Sequence, residues 1–434
     1  MEVIKKRVLR NDIFKVLSIK PFLLMMLSEV FSGLAFNMQH FVLIFIIYGF
    51  THSNTAVSGM ILSFMVPAVM FSVISGIFVD RWNKKKVLLF THLIRGALLL
   101  PFLIPNLHLG YIYALTFLIA VATQFFIPAE SSMIPLLVPK KLIVSANAVF
   151  SFSMFGIMLV GYVFSGPALL ILGRTYTIVL LISLFLVSAL VVPSIKIISG
   201  KKEVSTGDAF TPRPNYSFVK EAGEIFVFIK KARKVMHALL MITIGQAVIF
   251  MFAVLAPGYV ATILQAPLES LSLILVAPAC IGLGIGSFIL GSKAKKMKHG
   301  LTSAVGFMVV GIVLIVMPFT SRVASYGFVH ALNTFLPKII QIDILHIIVL
   351  LAVILGFGIS LVSIPSNSTI QIETNEKMRG RMYGLLSSLI GAVSFLPVIL
   401  AGGLADLFGV GVVIAGIGVF MIALGIYYLF LVKH

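Results

Sequence analysis

A chain of 434 residues that is 60% hydrophobic, 11% charged and of mean hydropathy +1.13 cannot be a soluble globule, since soluble domains carry about 25% charged residues. The formal net charge of +19 would suggest a nucleic-acid partner in a soluble protein, but no interleaving of basic and aromatic residues accompanies it here. The one cysteine, Cys280, lies in an apolar stretch, which excludes a disulfide framework and any multi-cysteine metal site and reads as a buried, inert thiol.

The chain opens with Lys5, Lys6, Arg7, Arg10, Lys15 and Lys20. The apolar run that follows, 21–48, outlasts a signal peptide and has no small-residue cleavage site, so it reads as a retained first membrane span. Further apolar runs fall at 55–79, 87–105, 109–137, 143–172, 175–195, 236–262, 268–291, 302–319, 345–371, 382–405 and 410–432. A spanning helix needs about 20 apolar residues, so these runs predict an all-α membrane protein of twelve transmembrane helices. Pro67, Pro128, Pro167, Pro278, Pro365 and Pro397 lie inside spans and predict kinks.

The turn between spans 2 and 3 is Gly76-Ile-Phe-Val-Asp80-Arg81-Trp-Asn-Lys84-Lys85-Lys86, a tight basic loop between two apolar runs. Residues 196–235 are the one long polar stretch, and they divide the chain into an N-terminal half (1–195), a linker and a C-terminal half (236–434). Within the linker, Phe218, Ala222, Ile225 and Ile229 recur at helical spacing, which predicts an amphipathic helix lying on the inner leaflet. An internal repeat is visible: Ile127-Pro128-Ala-Glu-Ser-Ser closes span 4 and Ile364-Pro365-Ser-Asn-Ser-Thr closes span 10. Two six-helix repeats around a midplane site are a recurring transporter plan. Of the 33 Lys and Arg, only Arg174, Arg322 and Lys338 fall on the odd-numbered connections, and Arg95 falls within a span. The positive-inside rule then puts both termini and the linker in the cytoplasm of a multi-pass cell inner-membrane protein.

The 76–86 loop resembles the loop between helices 2 and 3 of the major facilitator superfamily. Three further stretches resemble its macrolide-efflux-like drug:proton antiporter group: Phe126-Ile-Pro128-Ala129…Ile134-Pro135…Pro139…Ala146-Asn147, Pro365…Thr369-Ile-Gln371…Arg379-Gly380-Arg381-Met-Tyr-Gly384, and Gly402-Gly403-Leu-Ala405-Asp406…Gly409. Gly161-x4-Gly166-Pro167 in span 5 resembles the Gly-Pro element of antiporter members. The resemblance implies two six-helix pseudo-repeats around a central cavity. It also implies a gating motif of Gly76, Asp80, Arg81, Lys84 and Lys85, in which Asp80 faces the start of span 11 near Arg381–Tyr383 and Gly76 lets those helices approach. Asn83 stands where the loop signature usually has a glycine or small polar residue, His92 where relatives often have an acid, and Glu29 where they often have a neutral glutamine.

Three ionisable residues lie well inside the spans: Glu29, Arg95 and Glu130. Each lies seven to nine residues from the lysine-rich end of its span, roughly 10–14 Å deep at 1.5 Å per residue. Intramembrane charges are functional candidates by default, and the three are the proton-coupling candidates. Arg95 and Glu130 on adjacent helices form the natural ion pair, and a purely structural pair fits them equally well. Glu29 is then left without a cation, suited either to exchanging protons or to attracting cations from a water-filled vestibule. Gln39, His40, Gln124, Gln246 and Asn367 are the substrate-cavity candidates, on the spans that line the cavity in this superfamily. Helix–helix hydrogen bonds explain any one of them as well.

No nucleophile elbow, metal-ligand spacing or phosphate loop is present, so neither an enzyme nor a metal or organic cofactor is expected. The reading is a secondary transporter, a monomer in the lipid bilayer, that exports an amphipathic or hydrophobic small molecule against inward proton flow. The same fold could move another cargo, such as a lysophospholipid, a siderophore or a metal ion. A polytopic membrane enzyme would need a clustered His/acid pair at a membrane face, and a non-transporting sensor would need a large soluble domain.

Overall fold

The computed structural model describes residues 12–105, 107–197, 232–293, 299–320, 333, 343–374 and 376–433, and every regular element among them is helical. In chain order the helices are α1 (Asp12–Leu17), α2 (Lys20–Thr51), α3 (Asn54–Arg81), α4 (Lys84–Leu99), α5 (Leu109–Leu137), α6 (Ile143–Val191), α7 (Arg233–Gly258), α8 (Ala277–Lys293), α9 (His299–Val316), α10 (Ile344–Glu373), α11 (Glu376–Phe408) and α12 (Val410–Lys433). In a bilayer core every backbone N–H and C=O must be satisfied within the chain, which leaves helices as the solution for such apolar runs. The expected linker helix of 218–233 and most of the 320–344 connection lie outside the described residues.

Among the described residues, eleven apolar segments are long enough to cross a bilayer, against the twelve spans expected. The difference lies in Lys140–Ser194, a single stretch of 55 residues. Its helix α6 has 49 residues and would run about 74 Å unbroken, more than twice a hydrocarbon core of about 30 Å. Gly173 interrupts it at φ +70° and ψ 176°, backbone space open to glycine at no steric cost. The expected spans 143–172 and 175–195 are the two sides of that break.

Arg174, next to the break, donates from Nη2 to the carbonyls of Phe102 (3.2 Å) and Ile104 (3.3 Å) just beyond the end of α4. A cation there complements the negative end of a helix. The start of α4 is set by Asn83, whose side chain accepts the N–H of Lys86 at 2.9 Å. This N-cap role gives a physical reason for asparagine at a position where the family loop usually has glycine. Asp343 and His346 close a reciprocal capping box at the start of α10.

The chain forms two compact units: Met1–Leu43 with Ser63–Asn215, and Ile44–Leu62 with Tyr216–His434. The facing ends of α2 and α3 therefore belong with the second unit, a grouping that a division at 196–235 does not contain. In the first unit, Phe22, Met25, Leu88, Met133, Leu137 and Phe150 belong to one buried apolar core toward the lysine-rich end. In the second, Leu239, Ile242, Ile370, Met382 and Leu386 belong to another.

Candidate functional site: a carboxyl pair beside a buried arginine

The three intramembrane ionisable residues all lie in the first unit and come together there. Glu29 on α2 and Glu130 on α5 are each 4% exposed. Their carboxyl groups lie close enough to interact directly with one another. Ser32, one turn along α2, donates to Glu29 Oε2 at 3.3 Å.

Arg95 on α4 is 1% exposed and within electrostatic reach of both acids, yet it makes no direct ion pair with either. Among the described residues the ion pairs are Lys15–Asp12 and Lys234–Glu373, both away from this site. The expected Arg95–Glu130 salt bridge is therefore corrected: Glu130 lies against Glu29, and Glu29 has Glu130 and Ser32 as neighbours. The guanidinium instead turns back along its own helix, donating from Nε to Thr91 O (3.3 Å) and from Nη2 to His92 Nδ1 (2.8 Å). Helical side chains lean toward the N-terminus and so meet residues three and four positions earlier. Its Cζ sits 4.3 Å from the ring centre of Phe126 and 4.8 Å from that of Phe185, cation–π contacts worth about 0.5–2 kcal/mol each.

Because guanidinium has no acceptor, His92 Nδ1 must offer its lone pair, and the ring proton sits on Nε2. That nitrogen faces Ser188 Oγ at 3.0 Å and Ser28 Oγ at 3.4 Å. Ser188 passes its own proton to the backbone carbonyl of Ser28 (2.8 Å), and the two hydroxyls lie 2.8 Å apart. A chain of polar contacts thus runs from Arg95 through His92 on α4 to Ser188 on α6 and Ser28 on α2, with the carboxyl pair beside it. Sequence reasoning singled out His92 only as a departure from relatives. Ser28 and Ser188 carried no signal, since isolated serines are common in spanning helices.

The gating-motif residues sit as follows. Gly76 lies inside α3, where an added Cβ would meet no atom of the described residues within 4 Å. Asp80 and Arg81 end α3, and their side chains lie outside the described set, as does that of Arg381. Lys84 is 9% exposed at the start of α4, and Lys85 donates from Nζ to Pro193 O at 2.7 Å. Among the cavity candidates, the first unit carries Gln39, His40 and Gln124. Gln39 is fully buried, and neither of its amide atoms has a hydrogen-bond partner among the described residues. His40 donates from Nδ1 to Phe36 O (2.7 Å) and stacks on Phe64 at 4.0 Å. Gln246 and Asn367 belong to the second unit; Tyr383 OH lies 3.4 Å from Asn367 Oδ1.

A second polar centre escaped sequence reasoning and lies wholly within the second unit. Asp406, near the end of α11, accepts four hydrogen bonds from the start of α3: Ser53 Oγ (2.6 Å), Asn54 N (2.8 Å), Asn54 Nδ2 (2.9 Å) and Thr55 N (3.0 Å). Ser53 Oγ in turn accepts the N–H of Ala56 at 3.2 Å. The first N–H groups of a helix have no intrahelical partner, and a carboxylate is also favoured there by the helix dipole. Gly402, one turn earlier, lets α11 lie against Asn54 and Ser58, and Ser58 donates to Val398 O at 2.8 Å. The available signal was spacing: Gly402-x3-Asp406 repeats Gly76-x3-Asp80, each at the C-terminal end of its span.

The apolar helices are those of a multi-pass membrane protein. The sequence profile of the Major Facilitator Superfamily matches residues 25–396, and the chain belongs to that superfamily. It is 25% identical over 381 residues to the uncharacterized MFS-type transporter YvqJ of Bacillus subtilis (strain 168), covering 83% of this chain and 80% of that one. It is 23% identical over 414 residues to the uncharacterized MFS-type transporter YfmI of the same organism, covering 94% and 95%. Among solved structures, a POT family transporter in complex with 5-aminolevulinic acid superposes with a TM-score of 0.69 at 12% identity, covering 95% of this chain and 96% of that chain. The nucleoside transporter NupG gives 0.68 at 13% identity, covering 93% and 99%. At such identities the structures speak for the fold alone.

Proposed function

We propose that this secondary transporter is a proton-coupled exporter of amphipathic or hydrophobic small molecules in the cell membrane, with both termini in the cytoplasm. The observation that carries the reading is that the buried carboxyl groups of Glu29 and Glu130 lie against one another beside Arg95, which hydrogen-bonds to neither acid. A carboxyl pair that holds a proton in one access state and releases it in the other couples proton flow to alternating access. Arg95, held by Thr91 and His92, is positioned to compensate the charge left when the proton departs. The one-sided distribution of Lys and Arg supports the orientation. In this reading Asp80 latches the cytoplasmic side and Asp406 the outer side, each at the end of its own span.

The test is substrate flux in proteoliposomes, run across a panel of amphipathic compounds with and without an imposed pH gradient. Glu29→Gln and Glu130→Gln should each lose gradient-driven accumulation while retaining downhill exchange, because binding geometry survives and the exchangeable proton does not. Equal acceleration of parent and both variants by the gradient would remove the pair from coupling. Asp80→Asn should fold normally and transport at least tenfold more slowly; a parental rate would reduce the loop to an orientation signal.

A further inference from the structure

A groove of about 550 Å³ opens on the outside of the first unit between α4 and α5. Its walls are two helical stripes: Phe90, Ile94 and Leu98 on one side, Leu118, Ala122 and Phe125 on the other. Phe90 is 57% exposed and Leu118 48%, so in a spanning protein the groove faces lipid. Trp82 closes one end, its ring stacked on Phe125 at 5.9 Å and 18°. The polar lining gathers at that same end. Thr91 is turned inward onto the carbonyls of Val87 and Leu88, and Asn83 caps α4. The exposed Lys86 makes no ion pair among the described residues.

The occupant is fixed by shape and charge together. From Lys86 to Leu98 the helix rises about 18 Å, close to the roughly 15 Å depth of one leaflet's hydrocarbon. An apolar trough of that length with a cation at its membrane-surface end matches an acyl chain whose headgroup is negative. We propose that this groove holds an acyl chain of an anionic membrane phospholipid, with the phosphate of the headgroup meeting Lys86.

The chain contains a single tryptophan, Trp82, so its fluorescence reports on this groove alone. The full-length protein would be reconstituted in phosphatidylcholine and titrated with brominated phosphatidylglycerol or brominated phosphatidylcholine as chain-borne quenchers. Parent protein should show about a fivefold preference for the anionic lipid, the factor expected of one lysine near a surface. Lys86→Gln, an exposed substitution that leaves Trp82 and the groove wall in place, should abolish that preference, while Lys15→Gln should preserve it. Ala122→Phe, which fills the trough, should reduce quenching by both lipids. Equal quenching of the parent by the two lipids overturns the proposal, and so does a preference that persists in Lys86→Gln. If quenching is unchanged in a folded Ala122→Phe, the chain does not lie in the groove.

Discussion

Each of the two units of this chain is packed internally by its own chemistry. Among the described residues, every buried Asp, Glu, Lys, Arg or His lies in the first unit: Glu29, Lys84, His92, Arg95 and Glu130. The second unit buries neutral groups, among them Thr243, Ser303, Ser360 and Ser366, and brings backbones close through glycine. At Gly311 and Gly418 an added Cβ would lie 2.6 and 2.7 Å from the other glycine's carbonyl oxygen, the small-residue contact typical of membrane helices. One unit thus buries groups whose charge can change, whereas the titratable Asp406 of the other lies at the exposed end of α11.

The strongest challenge to this contrast is Arg95→Met, which keeps the volume and removes the buried cation. It should lower stability by about 3–5 kcal/mol, the usual cost of stranding buried charge, seen as a large drop in melting temperature in detergent. Arg95→Lys should recover little, because the planar fork that reaches Thr91 and His92 while stacking on Phe126 is lost. If Arg95→Met melts with the parent, the carboxyl pair does not need the cation.

A smaller effect is expected at the carboxylate of the second unit. Asp406→Ala removes the acceptor for the Asn54 and Thr55 amides, which should cost about 0.5–2 kcal/mol as helix caps do. Hydrogen exchange at those two amides should accelerate by about two- to thirtyfold over that range. Unchanged exchange would mean that water or a neighbouring group caps α3 just as well.

The smallest change is Ser366→Ala, which deletes the contact between the Ser366 and Ser303 hydroxyls at 3.3 Å. Interhelical hydrogen bonds in membranes average about 0.6 kcal/mol. Stability should fall by about that amount, with no change in the response of transport to a pH gradient. A changed gradient response in this variant would end the assignment of proton sensitivity to the first unit.

The spans were legible because long apolar runs have few alternatives in a bilayer, and the two runs either side of Gly173 could be separated at the Gly-Arg pair. The depth of Glu29, Arg95 and Glu130 was legible as well, being a count along a helix. The partner of Arg95 was not, because sequence distance fixes depth and leaves rotation about the axis open. Backward lean onto His92 and Thr91 decided it. Asp406 was visible as part of a motif but not as a cap, since its acceptor role depends on a turn more than three hundred residues away.

That separation has a consequence for synthesis. Asn54 and Asp406 are 352 residues apart, so at about 5–20 residues per second the start of α3 waits roughly 18–70 s for its carboxylate to be made. Through that interval the Asn54 and Thr55 amides must find water or another partner while eight further helices are threaded into the bilayer. Residues 44–62 are thus among the first to be inserted and among the last to reach their final neighbours. A ribosome stalled before α11 would leave this hairpin without its cap, a plain mark by which quality control could tell a nascent chain from a finished one.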